Sequence, residues 1–169
     1  MTRRAVVQKW ILYSLCALAL VLVQSLLLVR VQVWGVHPFL LPAIAVIPVT
    51  LERDEGALLF SVFFGLACDL LTPVAGLPCF YALAFLVSGG LAWLLSGRVV
   101  AAGLVCSLAA AASALVVCGV LHLAVLAGSQ SVDVTAAAVL AGKEAALSLP
   151  LTVLVHYPFR RICLLIQRD

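Results

Sequence analysis

Residues 10–29 read WILYSLCALALVLVQSLLLV, 20 positions with no charge. As an α-helix this stretch covers about 30 Å, the thickness of the hydrocarbon of a bilayer. Arg3, Arg4 and Lys9 precede it as they would a secretion signal. It is too long for a signal core, however, and it runs into VRVQVW without a small-x-small cleavage site, so it reads as a retained anchor. The rest of the chain has the same character. Of 169 residues, 66% are apolar and 10% charged, against about 25% charged in a soluble domain. With a mean hydropathy of +1.27, there are too few polar groups to cover a compact globule, which excludes a water-soluble monomer. The length holds about six or seven spanning helices and no soluble domain.

Working outward from the anchor, the expected architecture is an all-α integral membrane protein, a single membrane domain over residues 1–169 with about six transmembrane helices. The second span, 36–51, carries Pro38, Pro42 and Pro48 and is expected to be kinked or partly unwound. Glu52, Arg53, Asp54 and Glu55 form a polar turn before a third span, 57–71, with Asp69 near its end. The turn TPVAGLP leads to a fourth span, 77–95, and Ser96-Gly97-Arg98 to a fifth, 99–127. A sixth, 134–157, is bent near Pro150 and is followed by a short basic cytoplasmic tail, 158–169. With both termini on one side, that side holds Arg3, Arg4, Lys9, Arg53, Arg98, Arg160, Arg161 and Arg168, and the other only Arg30. The positive-inside rule then puts both termini in the cytoplasm. Trp10, Trp34, Trp93 and Tyr157 fall near span ends, where interfacial aromatics belong.

The same residues exclude several functions. The cysteines lack C-x-x-C spacing and sit mostly in apolar runs, where Cys acts as a small hydrophobe, so neither a metal nor a disulfide is expected. A net charge of +3 with no long basic run argues against nucleic acid. G-x-S-x-G, H-E-x-x-H, Walker A and G-x-G-x-x-G are absent, and an enzyme or a cofactor is not expected. Small residues recur at helical spacing as Gly103, Ser107 and Ala111 on the fifth span and Ala138, Gly142 and Ala146 on the sixth. They suit helix packing within the chain, with a homodimer or partner face as the other use. Charges inside spans usually face protein or water, and Asp69, Lys143 and Glu144 are the clear cases. Asp69 sits near a helix C-terminus, where the macrodipole disfavours an anion. It therefore calls for a partner or a capping role, with Arg30 and His122 at similar depth. Lys143 and Glu144 are adjacent, so their side chains diverge by about 100° and only one can face the bundle. His37 and His156 read as polar groups at the two interfaces.

Residues 65–83, GLACDLLTPVAGLPCFYAL, carry a resemblance. Gly65, Leu66, Asp69, Leu70, Leu71, Gly76, Leu77 and Ala82 resemble the G-L-x-x-D stretch and following G-L-x-A of the rod shape-determining protein MreD family. A proline-bearing second span, a polar turn before the motif and an acidic residue in the last helix are also similar. Pro78-Cys79 and Ser148 depart from that pattern, standing where the family often has His or a small polar residue, and Asn. The resemblance implies a non-enzymatic membrane scaffold of the bacterial cell elongation machinery, in the cytoplasmic (inner) membrane. Such a scaffold binds MreC and the peptidoglycan synthases that build the side wall and maintain rod shape. It also implies a compact bundle similar to the S-component fold of energy-coupling-factor transporters, whose vitamin-binding function is the alternative. Gly65, Asp69, Gly76, Lys143 and Glu144 are the structural or partner-binding candidates.

Overall fold

The computed structural model describes residues 3–52, 54–72, 79–98, 103–128 and 134–166. Arg53, Gly76 and the rest of residues 73–78, 99–102 and 129–133 lie outside the described residues. Six helices form a compact all-helical bundle: α1 (Arg3–Leu26), α2 (Leu41–Glu52), α3 (Glu55–Leu71), α4 (Phe80–Arg98), α5 (Leu104–Gly128) and α6 (Val134–Ile166). Val6–Arg30, Leu104–Gly128 and Thr135–Leu165 are long and apolar enough to cross a membrane, and α2 and α4 are shorter apolar helices. By helix length and hydropathy this is a multi-pass membrane protein. Large apolar side chains such as Leu15, Leu22, Phe63, Val116 and Leu154 face outward, the surface of a bundle solvated by lipid.

The second span, 36–51, is partly unwound: residues 37–40 are non-helical and α2 begins only at Leu41. Every residue of α2 from Leu41 to Thr50 is buried, because α1, α3, α4, α5 and α6 all pack against it. At 12 residues it is about 18 Å long, shorter than the hydrocarbon is thick, yet it runs back along α1 from Gln24, which accepts the N–H of Leu40, to Lys9, which pairs with Glu52. Pro42 occupies the first turn, where a missing N–H costs no hydrogen bond. Pro48 lies inside the helix, which continues through it to Glu52. Burial on all sides holds the helical path although Pro48 offers no N–H to the carbonyl of Ile44. The irregular backbone fills the start of the span and the turn before it, where Val33 and Val36 exchange backbone hydrogen bonds around Trp34 and Gly35, both at positive φ. At the start of α2 the free N–H groups are taken by side chains from neighbouring helices. Phe39 donates to Ser148 Oγ at 2.8 Å and Leu40 to Gln24 Oε1 at 3.1 Å.

Two apolar clusters meet on α2. One joins Val46 and Val49 to Ala84, Phe85, Ala110 and Ala114 of α4 and α5. The other joins Ile44 and Ile47 to Tyr13, Val155 and Phe159 of α1 and α6. The small-residue face of α5 is used inside the bundle: Ser107 and Ala111 are buried, which lets α2 and α6 approach closely. The equally spaced set on α6 is not, since Ala138, Gly142 and Ala146 are exposed and a Cβ on Gly142 would meet nothing within 4 Å. The helix turns Ala137, Ala141 and Ala145 toward α5 instead.

The sixth helix also outruns its expected end at 157. It continues through Pro158 to Ile166 because Phe159 and Cys163, one turn apart, are buried. Phe159 stacks on Tyr13 of α1 with ring centroids 5.6 Å apart. Most of the expected basic tail is therefore part of the bundle.

Candidate functional site

Gly65 and Asp69 are four residues apart on α3 and so share one face, and that face meets the first turn of α4. A Cβ on Gly65 would fall 2.7 Å from the Cα of Ala82 and 2.8 Å from the carbonyl oxygen of Tyr81. Only glycine permits this approach without displacing backbone. One turn on, Asp69 Oδ1 accepts the N–H of Tyr81 at 2.8 Å and Oδ2 the N–H of Ala82 at 2.9 Å. The first N–H groups of a helix have no internal acceptor. Cys79, just before α4, is held at φ 64° and carries no capping oxygen. Asp69 supplies that oxygen from the preceding helix.

An anion at the C-terminus of its own helix is disfavoured, but the same carboxylate lies at the positive end of α4, which offsets the cost. Among the described residues neither Arg30 nor His122 pairs with Asp69; backbone takes that role. Thr72 closes α3, its N–H and hydroxyl both donating to the carbonyl of Cys68 at 2.8 and 3.0 Å.

Beside the capped turn lies a cavity of about 270 Å³ between α4, α5 and α6. Phe39, Tyr81, Phe80 and His122 make one continuous aromatic wall of it, with neighbouring ring centroids 6.2, 5.3 and 6.1 Å apart. The room comes from small residues on the other walls, Gly119 of α5 and Ala137, Ala141 and Ala145 of α6. Glu144 is half-buried and lines this cavity, whereas Lys143 is exposed on the outer surface of α6. The adjacent pair thus divides between bundle and surroundings. The structure brings Gly65 and Asp69 together, sets Glu144 beside the Tyr81 that Asp69 anchors, and leaves Lys143 apart. Gly76 lies outside the described residues.

Two polar clusters escape a reading of the sequence. Lys9 of α1, buried, donates to Glu52 Oε2 at 2.8 Å and reaches Asp54 Oδ2 at 3.4 Å. Tyr13 donates to Glu52 Oε1 at 2.8 Å, and Asp54 caps α3 by accepting the N–H of Ala57 at 2.8 Å. This cluster ties α1 to the turn between α2 and α3, so two acids of that turn are engaged internally. A capping Asp is a legible signal; a lysine 43 residues from its acid is not. The second cluster is buried in the core. Ser107 Oγ lies 3.0 Å from Thr50 Oγ1 and 2.9 Å from His156 Nδ1, linking α2, α5 and α6. His156 is therefore a core residue rather than an interfacial one, 1% exposed.

Among the described residues no three His, Cys, Asp or Glu gather to hold a metal ion. Comparisons with protein-family models, with curated proteins and with solved structures find no match to this chain.

Proposed function

We propose that the protein is a non-enzymatic membrane scaffold of the MreD kind, serving bacterial side-wall peptidoglycan synthesis and rod shape. The observation that carries this reading is the use made of the motif residues. Gly65 and Asp69 fix α3 against the N-terminus of α4, so the two most distinctive positions of the resemblance act as structural members of a rigid bundle.

In this reading the exposed small-residue face of α6, with Ala138, Gly142 and Ala146, docks the membrane helix of an MreC-like protein. Close approach of backbones is what drives helix association in lipid, where no hydrophobic effect separates helix from solvent. The peptidoglycan synthases of the elongation complex associate through that partner. The protein sits in the cytoplasmic (inner) membrane with both termini inside, as its basic residues favour.

The test is purification of the tagged protein from its own host in mild detergent or nanodiscs, with mass spectrometry of proteins and small molecules. Recovery of an MreC-like protein with cell-wall synthases supports the scaffold. Recovery of a transporter ATPase module with a bound vitamin overturns it in favour of an S-component.

A further inference from the structure

The cavity beside the capped turn has features that a packing defect would not have. Its aromatic wall is continuous, and α5 and α6 line the rest with leucines interrupted by Gly119, Ala137, Ala141 and Ala145, which leave room between the helices. Into it projects Glu144, for which no hydrogen bond or ion pair from its carboxylate is present among the described residues. Its backbone carbonyl is engaged, accepting from Ser148 Oγ at 2.7 Å, but that contact leaves the carboxylate untouched. His37, whose Nε2 lies 3.1 Å from Nε2 of Gln32, is within electrostatic reach of Glu144 but forms no hydrogen bond to it among the described residues. A carboxylate held among apolar groups is costly unless it meets a cation or donors. Aromatic faces attract the same kind of group, since their quadrupoles are negative toward an approaching cation.

We propose that this cavity binds an organic cation, an ammonium group carried on a small apolar body. The ammonium pairs with Glu144 while Phe39, Phe80 and Tyr81 enclose the body. At about 270 Å³ the space falls just below the range of drug-sized ligand sites, so the ligand is small. Asp69 contributes indirectly, because its bond to the N–H of Tyr81 sets the first turn of α4, from which two of the three rings project. The site is independent of the scaffold reading and needs no partner protein. The ammonium has two sources, a free amine or the headgroup of an aminolipid entering between α5 and α6.

The experiment uses full-length protein in nanodiscs and radiolabelled 2-phenylethylammonium, with neutral 2-phenylethanol as competitor. Saturable binding is expected, displaced by unlabelled ammonium and at least about tenfold less well by the alcohol. Glu144→Gln, isosteric and uncharged, weakens binding about tenfold or more. Ala137→Phe, which fills the cavity, abolishes it, and circular dichroism melts confirm that both variants are folded.

Native mass spectrometry after reconstitution with phosphatidylethanolamine or phosphatidylglycerol separates the sources. Retained phosphatidylethanolamine that Glu144→Gln loses assigns the headgroup. Binding of the soluble probe with no retained lipid assigns a free amine. Absence of both, equal competition by the alcohol, or binding unchanged in Glu144→Gln overturns the site.

Discussion

Asp69 and Tyr81 are joined across the α3–α4 turn by a 2.8 Å hydrogen bond from the backbone N–H of Tyr81 to Asp69 Oδ1. With the companion bond from Ala82, one carboxylate does for α4 what an N-cap residue does within its own helix. Replacement by alanine leaves two N–H groups without acceptors and is expected to cost about 2 kcal/mol. Asp69→Asn keeps one acceptor oxygen and loses the charge, costing about 1 kcal/mol. Unfolding in a denaturing-detergent titration should rank wild type above Asn above Ala, and a flat series would remove the cap from the account.

Two helical glycines should respond differently to alanine. Gly65→Ala places a methyl 2.7 Å from backbone that has no side-chain freedom to yield, an overpacking cost of about 1–3 kcal/mol. Gly142→Ala meets open space and is expected to change the stability of the isolated protein by no more than about 0.5 kcal/mol. Complementation of a deletion strain adds a second readout. Gly142→Leu should impair it with the fold intact if the α6 face docks a partner, and full complementation would exclude that face.

Lys9 is the hub of a cluster that joins α1 to the α2–α3 turn. Lys9→Met strands Glu52, a carboxylate mostly shielded from solvent, and is expected to cost about 3 kcal/mol. Pairing it with Glu52→Gln removes the stranded charge and should recover part of that loss. Additive losses in a double-mutant cycle would mean that the two side chains act independently.

Ser107 bridges Thr50 and His156 in the core. Ser107→Ala removes the bridge without changing volume much and leaves two buried polar groups with fewer partners, at about 1–2 kcal/mol. Thermal unfolding in detergent should fall accordingly, whereas Ser113→Ala, which breaks only a bond to the carbonyl of Ala110 within the same helix, should change little.

Much of the architecture is legible in the chain because lipid solvation leaves a coarse signature. Residues 10–26 lie in α1, whose exposed positions are mostly apolar, and α2 ends at Glu52 and α3 begins at Glu55, within the polar stretch 52–55. The pairing of Gly65 with Asp69 is legible as a shared helix face. Their common target is not, since it requires knowing that α4 begins at Phe80 without a capping side chain of its own. The two small-residue stripes illustrate a deeper limit. Ser107 with Ala111 and Gly142 with Ala146 have the same spacing, yet one set is buried and the other exposed, because spacing says that a close approach is allowed and not which helix will make it. Pro158 misleads in the other direction: proline marks a helix end on average, but packing of Phe159 against Tyr13 favours continuation.

The enclosed second helix bears on how the protein is made. Its 12 residues are too few to be recognised as a membrane span by length, and α4, α5 and α6, against which it packs, are synthesised after it. When α2 leaves the ribosome, α1 is the only one of its packing partners already made. The full enclosure of α2 therefore cannot precede the synthesis of α6, the last helix that packs against it.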